Sequence, residues 1–453
     1  MKKFQKSIFI FRRDLRLEDN TGLIKANEDS EKVITCFIFD ENQIEKNDYF
    51  SEKAFRFMIE SLKDLKEELA KQGGFLNFFY GNYVRIVKEL LEESKAEAIF
   101  VNKDYTPFSI ERDKQLEDLC KSKGVSFFSY HDYLLNEPQN YLKKNQKPYT
   151  IFTHFYTNAK NISVRKPNKN SEKNYSNFRA SFHRENIIDK FESKYPENPY
   201  LKGGRKFGLE KISRAQKFSD YENKRNYAYE ETTGLSPYLK FGNISIRETY
   251  WAIRESLTEF HSLIRQLYWR DFFTYIAFYF PKVFGKSFNE KYEKINWENN
   301  EEKIIKWKNG ETGFPIIDAG MRELNQRGLM HNRLRMICAS FLVKDLHVDW
   351  RIGEKYFAQK LADYDPAVNN GNWQWTASTG CDSQPYFRTF NPWLQQRKFD
   401  PNCRYIKKWV KELENLSPNQ IHELEKNRVN GYYEKIVDHK KEIEKSKKAY
   451  LNA

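Results

Sequence analysis

An open α/β domain followed by an all-α domain is the fold class that this 453-residue sequence predicts. Two observations carry that expectation. Up to about residue 132, short apolar, β-branched and aromatic runs alternate with amphipathic stretches, the pattern of a parallel sheet covered by helices. Beyond about residue 200 the strand signals fade and helical periodicity takes over. The length also exceeds what one typical core can organise, so more than one domain is expected.

The strand runs are SIFIF (7–11), VITCFIF (33–39), FLNFFY (75–80), AIFVN (98–102) and VSFFSY (125–130). Between the second and third, Phe55, Met58, Ile59, Leu62, Leu65 and Leu69 recur at helical spacing over 52–71. The strand ends of such a sheet can form a ligand crevice, but no G-x-G-x-x-G accompanies them, so a dinucleotide site there has no support. Residues 133–200 are polar, with KPNKNSEKNYSN at their centre. They predict a long connector wrapped over the surface, with local order around YTIFTHFY (149–156). Helices are expected over 245–260, 261–280, 302–309, 315–347 and 352–361. The expected domains are thus 1–132, a connector 133–200, and a helical domain 201–453.

The balance of 77 Lys+Arg against 63 Asp+Glu leaves a net charge of +14, which favours a polyanionic partner such as nucleic acid. Aromatic residues make up 16% of the chain, a share that suits stacking on bases or on a flavin as well as a large helical core. Cys36, Cys120, Cys338, Cys381 and Cys403 show no metal-ligand spacing and read as reduced thiols of a cytoplasmic protein. No cleavable leader or membrane-spanning run is expected.

Polar residues are packed into apolar runs in MHNRLRMICASFLVKDLHVDW (330–350) and in DYDPAVNNGNWQWTASTGCDSQPYFRTFNP (363–392). Buried polar groups cost free energy unless paired, so this density predicts a bound polar ligand. With Gly320–Leu346 read as one helix, Asn332, Arg335 and Met336 share a face, and Arg335 needs an anion. Upstream, TTGLSPYLKFG (232–242) offers hydroxyls and backbone N–H groups around Gly234, and Ser236-Pro237 can open a helix whose N-terminus favours anions.

Together with the opening FIFRRDLRLEDNTGL, these segments resemble the photolyase/cryptochrome family of FAD-dependent blue-light proteins, most nearly its class I cyclobutane pyrimidine dimer photolyases. The resemblance runs from Phe9 to about Ser446. It implies FAD held by Tyr221, Thr232, Thr233, Gly234, Leu235, Ser236, Arg270, Asn332, Arg335, Asp363, Tyr364, Asp365 and Asn369. Arg335 would pair with Asp363 beside the flavin in a buried site, where removing one partner costs on the order of 3–5 kcal/mol. Asn369 matches the residue facing the reactive ring nitrogen, and an amide there suits the fully reduced flavin needed for repair. Trp373, Trp350 and Trp297 match an electron chain from the surface to the flavin.

By the same resemblance, Trp269 and Trp375 wall a pocket for a flipped lesion, Asn332 and Met336 floor it, and Arg225 and Arg333 meet DNA phosphates. Gln266 departs from the pattern, standing where cyclobutane-type enzymes usually carry glutamate. Members that act on the (6-4) photoproduct, and animal cryptochromes, tend to have glutamine there. The (6-4) enzymes, however, place histidines where this chain has Asn332 and Met336, and the adjacent His331 should face elsewhere on the helix. Cyclobutane dimer repair is therefore the expected activity, with (6-4) repair and cryptochrome signalling as the rivals. The stop soon after IVDHKKEIEKSKKAY argues against a signalling tail. A second, antenna chromophore of folate, deazaflavin or flavin type is left open, because Phe108 and Ser109 stand where folate-binding members have an amide and an acid. UV-damaged DNA is the expected partner, no protein partner is implied, and the protein is expected to act as a monomer.

Overall fold

The computed structural model describes residues 2–258 and 261–453. It divides into two compact units, Met1–Tyr149 with Thr153–Ser219 and Thr233–Phe278, and Thr150–Phe152 with Asp220–Thr232 and Tyr279–Ala453.

The first unit is built on five strands, β1 (Phe4–Phe11), β2 (Ser30–Asp40), β3 (Leu76–Gly81), β4 (Ala98–Asn102) and β5 (Ser126–Tyr130). All pair in parallel in the order β3-β2-β1-β4-β5. Ile8, Phe9 and Ile10 of β1 are all buried, as are Ile99 and Phe100 of β4, which explains why these runs are apolar without alternation. The crossovers run through helices Thr21–Asp29, Glu52–Lys71, Tyr83–Ser94 and Pro107–Lys123. Asn20, Ser51, Asn82 and Thr106 cap their first turns through side-chain oxygens. Each of the five strands expected from the sequence is present.

The connector is more firmly tied than a surface wrap requires. Val33 N donates to Asn174 O and Ser176 N to Val33 O, so the chain near Tyr175 pairs with β2. The ordered stretch near 149–156 is the helix Phe152–Ala159.

The expected boundary at 200 does not coincide with the packing, since 201–219 and 233–278 belong with the sheet. Two features join them. A Cβ at Gly242 (φ +68) would lie 2.3 Å from Arg13 O, so glycine allows the close approach of backbones there. On helix Ile246–Ser256, buried Arg247 meets Asp19 Oδ2 at 2.8 Å and Asp132 Oδ1 at 2.6 Å, and Arg16 pairs with Asp132 from the other side. Burial alone would raise the Asp132 carboxyl, but the two arginines hold it well below the ordinary carboxylate range. The expected helix 245–260 is Ile246–Ser256, with 259–260 outside the described residues.

The second unit is helical, with a core that includes Trp307, Phe314, Leu334, Phe341, Trp350, Phe357 and Trp373. The single helix expected over Gly320–Leu346 is broken. It runs as Pro315–Arg327, stops at Gly328 (φ +70), resumes as Asn332–Ser340, and ends in a π-helical turn, Phe341–Asp345. A left-handed residue ends a helix most cheaply as glycine, so the chain turns at Gly328. Helices Trp350–Lys360 and Pro366–Ala377 then pack side by side. A Cβ at Gly353 would fall 2.2 Å from the Trp373 ring, so only glycine there lets them meet.

Candidate active site

The residues expected to form the site are divided between the two units.

In the helical unit, Arg335 Nη2 reaches both Asp363 oxygens, at 2.8 and 3.1 Å, while Nε donates to Met330 O at 2.9 Å. The expected ion pair is therefore formed, but only one partner is buried. The Asp363 side chain is 3% exposed and that of Arg335 is 29% exposed. The arginine thus presents a part-open cationic edge beside a sequestered carboxylate.

Asp365 caps the helix Pro366–Ala377, accepting from Val368 N at 3.0 Å, and Pro366 occupies its first turn. One turn on, Asn369 Nδ2 donates to Glu354 O at 3.1 Å, and Asn370 Nδ2 donates to Glu354 Oε1 at 2.9 Å. Glu354 thus fixes both amides from the neighbouring helix. Burial pushes its carboxyl up to about 7, against the hydrogen bond from Asn370. Sequence reasoning missed Glu354. Its signal was there: it lies four after Trp350 and three before Phe357, on the buried stripe of its helix. Tyr364 packs at the edge of the same core.

Asn332 opens its helix and is exposed, with Nδ2 3.9 Å from Met336 Sδ one turn on, so these two share a face as expected. His331 is not one position round the helix. It is the N-cap, and its Nδ1 accepts from Arg333 N at 3.2 Å. Burial, with Arg333 and Arg335 nearby, lowers its imidazole to about 4. Arg333 donates to Asn226 Oδ1 and lies over the Phe399 ring at 4.5 Å, and Arg225 sits 6.0 Å from the Tyr221 ring centroid.

Trp373 and Trp350 are buried, and Trp297 is half-buried beside Tyr450 at 6.2 Å. Trp375 is half-buried. Thr232 is half-buried as well.

In the first unit, Gly234 has a positive φ of +58 directly after Thr233, and the helix Ser236–Phe241 opens at Ser236 with Leu235 at its N-cap, as the Ser-Pro step predicts. Gln266 is half-buried, its Nε2 3.4 Å from Ser262 O, and Trp269 lies against Phe272 and Phe273. Arg270 lies 3.7 Å over the Tyr133 ring and donates to Tyr133 O at 2.9 Å.

Comparison with known proteins decides what this arrangement belongs to. Residues 7–172 match the DNA photolyase family, and residues 263–452 match the FAD binding domain of DNA photolyase. The chain belongs to the DNA photolyase family. It is 35% identical to a deoxyribodipyrimidine photo-lyase of Alkalihalophilus pseudofirmus over 91% of this chain and 88% of that protein. Among solved structures it is similar to an archaeal photolyase from Sulfolobus tokodaii that holds two FAD molecules and implies a novel light-harvesting cofactor. That match has a TM-score of 0.91 and 45% identity and covers 99% of this chain and 100% of that one. A bacterial class III photolyase from Agrobacterium tumefaciens matches with a TM-score of 0.90 and 31% identity, over 100% and 98%. The likeness is therefore not confined to class I.

The residues fit FAD. A flavin ring offers a polar edge and a protonatable nitrogen, and the helical unit supplies a part-open guanidinium, a buried carboxylate and a braced amide within two adjoining helices and the loop before one of them. FAD is the cofactor of this family's helical domain.

Two outcomes test the geometry. Arg335→Ala strands the Asp363 carboxylate, and because Arg335 is partly solvated the cost falls between the exposed and buried limits, at about 1–3 kcal/mol. A lowered melting temperature and weakened FAD retention are expected, and unchanged values for both would refute the pairing. The Glu354 proton is held in the fold up to about 7 but released near 4.5 when unfolded, so its stabilisation is complete below about 4.5 and is lost as pH rises through about 7. Glu354→Gln removes that titration. Its melting temperature should gain on the parent between about pH 5 and about pH 8, whereas a pH-independent difference would show that Glu354 is ionised throughout.

Proposed function

We propose that this chain repairs cyclobutane pyrimidine dimers in DNA, driven by light. Arg335, Asp363 and Asn369 support the flavin part of that reading, and the names of the curated relatives support the reaction. When bound, reduced FAD would supply the absorption of blue light and the single electron that opens the dimer. The chain's own residues do the rest. Arg335 and Asp363 hold the ring's polar edge, Asn369 presents an amide to its nitrogen, and Glu354 keeps that amide from turning. Trp373, Trp350 and Trp297 restore the reduced state by electron transfer. Tyr221 and Thr232 in this unit, and Thr233, Gly234, Leu235, Ser236 and Arg270 in the other, are the further residues assigned to the cofactor.

One observation favours cyclobutane over (6-4) chemistry. The floor positions Asn332 and Met336 carry no acidic proton, and the adjacent imidazole of His331 is turned into a helix cap and held neutral. A (6-4) reaction would lack its general acid there. Gln266 then orients a base edge, Trp269 and Trp375 stack on the lesion, and Arg225 and Arg333 meet phosphates without reading sequence. Action as a cytoplasmic monomer belongs to the same reading: all five cysteines are buried and unpaired, and among the described residues no helix is long and apolar enough to cross a membrane.

For the antenna, the Sulfolobus relative with two FAD molecules favours a flavin over folate. In this chain Phe108 is exposed and Ser109 is buried against Thr106, which leaves neither the amide nor the acid of the folate pattern.

Two assays test the reading. Reduced protein illuminated with one oligonucleotide bearing each lesion should restore only the cyclobutane dimer, and Gln266→Glu should preserve or raise that yield. Repair of the (6-4) lesion alone would overturn the assignment. Flavin extracted from protein saturated with FAD should exceed one equivalent per chain, and a ratio that stays at one would reject the flavin antenna.

A further inference from the structure

We infer that the Lys211 amine supplies the positive charge that holds the diphosphate of FAD. The inference rests on the proposed function in one respect, the assignment of Thr233, Gly234, Leu235 and Ser236 to the cofactor.

A diphosphate brings two negative charges, and neutral hydroxyls and N–H groups alone leave them uncompensated. The segment EETTGLS (230–236) offers such groups, but it carries two glutamates and no cation. Arg270, the other residue of this unit assigned to the cofactor, already serves the backbone. Its guanidinium lies 3.7 Å over the Tyr133 ring, with Nη1 2.9 Å from Tyr133 O and Nη2 3.5 Å from Leu239 O. A further positive charge has to come from elsewhere in the fold.

Helix Arg205–Ser213 brings one. Its close approach depends on Gly208, where a Cβ would lie 2.8 Å from Ile244 Cγ2 and 3.1 Å from Tyr238 Cδ1. Buried Ile212 anchors the next turn. Lys211, three residues after Gly208, is half-buried, and its side chain reaches Gly234. A Cβ at Gly234 would lie 3.2 Å from Lys211 Nζ and 3.7 Å from its Cε. Glycine there thus meets two demands at once, a φ of +58 and room for the amine.

The amine is also uncommitted. Arg205 on the same helix meets Glu248 at 2.6 Å, and Arg214, just past its end, pairs with Glu210. Among the described residues, no carboxylate lies within ion-pair distance of Lys211 Nζ. A half-buried ammonium has given up part of its hydration, so an anion that reaches it is bound more firmly than at an open surface. Its three donors on a flexible stem can serve oxygens of either phosphate. A DNA phosphate would offer the same chemistry. The cofactor is favoured because the glycine that the amine approaches lies between Thr233 and Ser236, whose hydroxyls belong to the cofactor's own segment.

The test uses the full-length protein with FAD removed and returned. Lys211→Ala should weaken FAD binding about tenfold, the worth of one charge-assisted contact at a partly solvated site, and Lys211→Arg should restore it. The parent's affinity should fall with added salt more steeply than that of Lys211→Ala. In FAD-saturated protein, phosphorus NMR should show the diphosphate resonances moved in Lys211→Ala while the visible spectrum of the flavin stays as in the parent. Unchanged affinity or unmoved resonances overturn the inference, and so does a visible spectrum that moves with them, which would mark a general disturbance of the site. Thr233→Val and Ser236→Ala judge the assignment beneath it. Resonances that stay fixed in all three variants overturn the placement of the diphosphate, whereas resonances that move in those two and not in Lys211→Ala overturn Lys211 alone. FAD-loaded Lys211→Ala should bind duplex DNA as the parent does, and weaker DNA binding with unchanged FAD affinity would give the amine to a DNA phosphate instead.

Discussion

The site in the helical unit depends on how closely helix Trp350–Lys360 can approach helix Pro366–Ala377. Gly353 sets that distance, because a single methyl there would enter the Trp373 ring. Once the helices are in contact, the Glu354 main chain and side chain fall opposite Asn369 and Asn370, and two amides become fixed by one residue. An amide that can rotate would offer a donor or an acceptor at random. An amide whose N–H is already committed to Glu354 O is oriented, and that orientation is what a cofactor nitrogen would meet.

The α/β unit solves a different problem by related means. Arg16, Arg247, Asp19 and Asp132 are all buried, and ions taken from water cost several kcal/mol each unless their partners replace the lost solvation. Each carboxylate here meets two guanidinium groups, Asp132 those of Arg16 and Arg247, and Asp19 those of Arg247 and Arg165. Such a network adds little net stability over an apolar core of equal volume. It does penalise any packing in which one member is displaced, so it fixes where helix Ile246–Ser256 sits on the loop after β1. That also explains why the compact unit does not end where the polar connector ends.

The fold was readable where burial is two-sided. Strands β1 and β4 carry unbroken apolar runs, 8–11 and 98–101, and the only buried polar residues within these strands are Ser7 and Asn102, at the ends of the runs. The helix break at Gly328 was obscured because apolar residues resume on the far side with nearly the right spacing. The cues against a continuous helix were Arg327 in the last turn, glycine directly after it, and His331 placed to cap the next helix, Asn332–Ser340. For the site, Arg335 and Asp363 lie 28 residues apart, and only their motifs paired them before the structure brought them within 2.8 Å. Glu354 escaped for the opposite reason. A glutamate on a helix has ordinary explanations, and nothing in sequence spacing shows that it braces an amide.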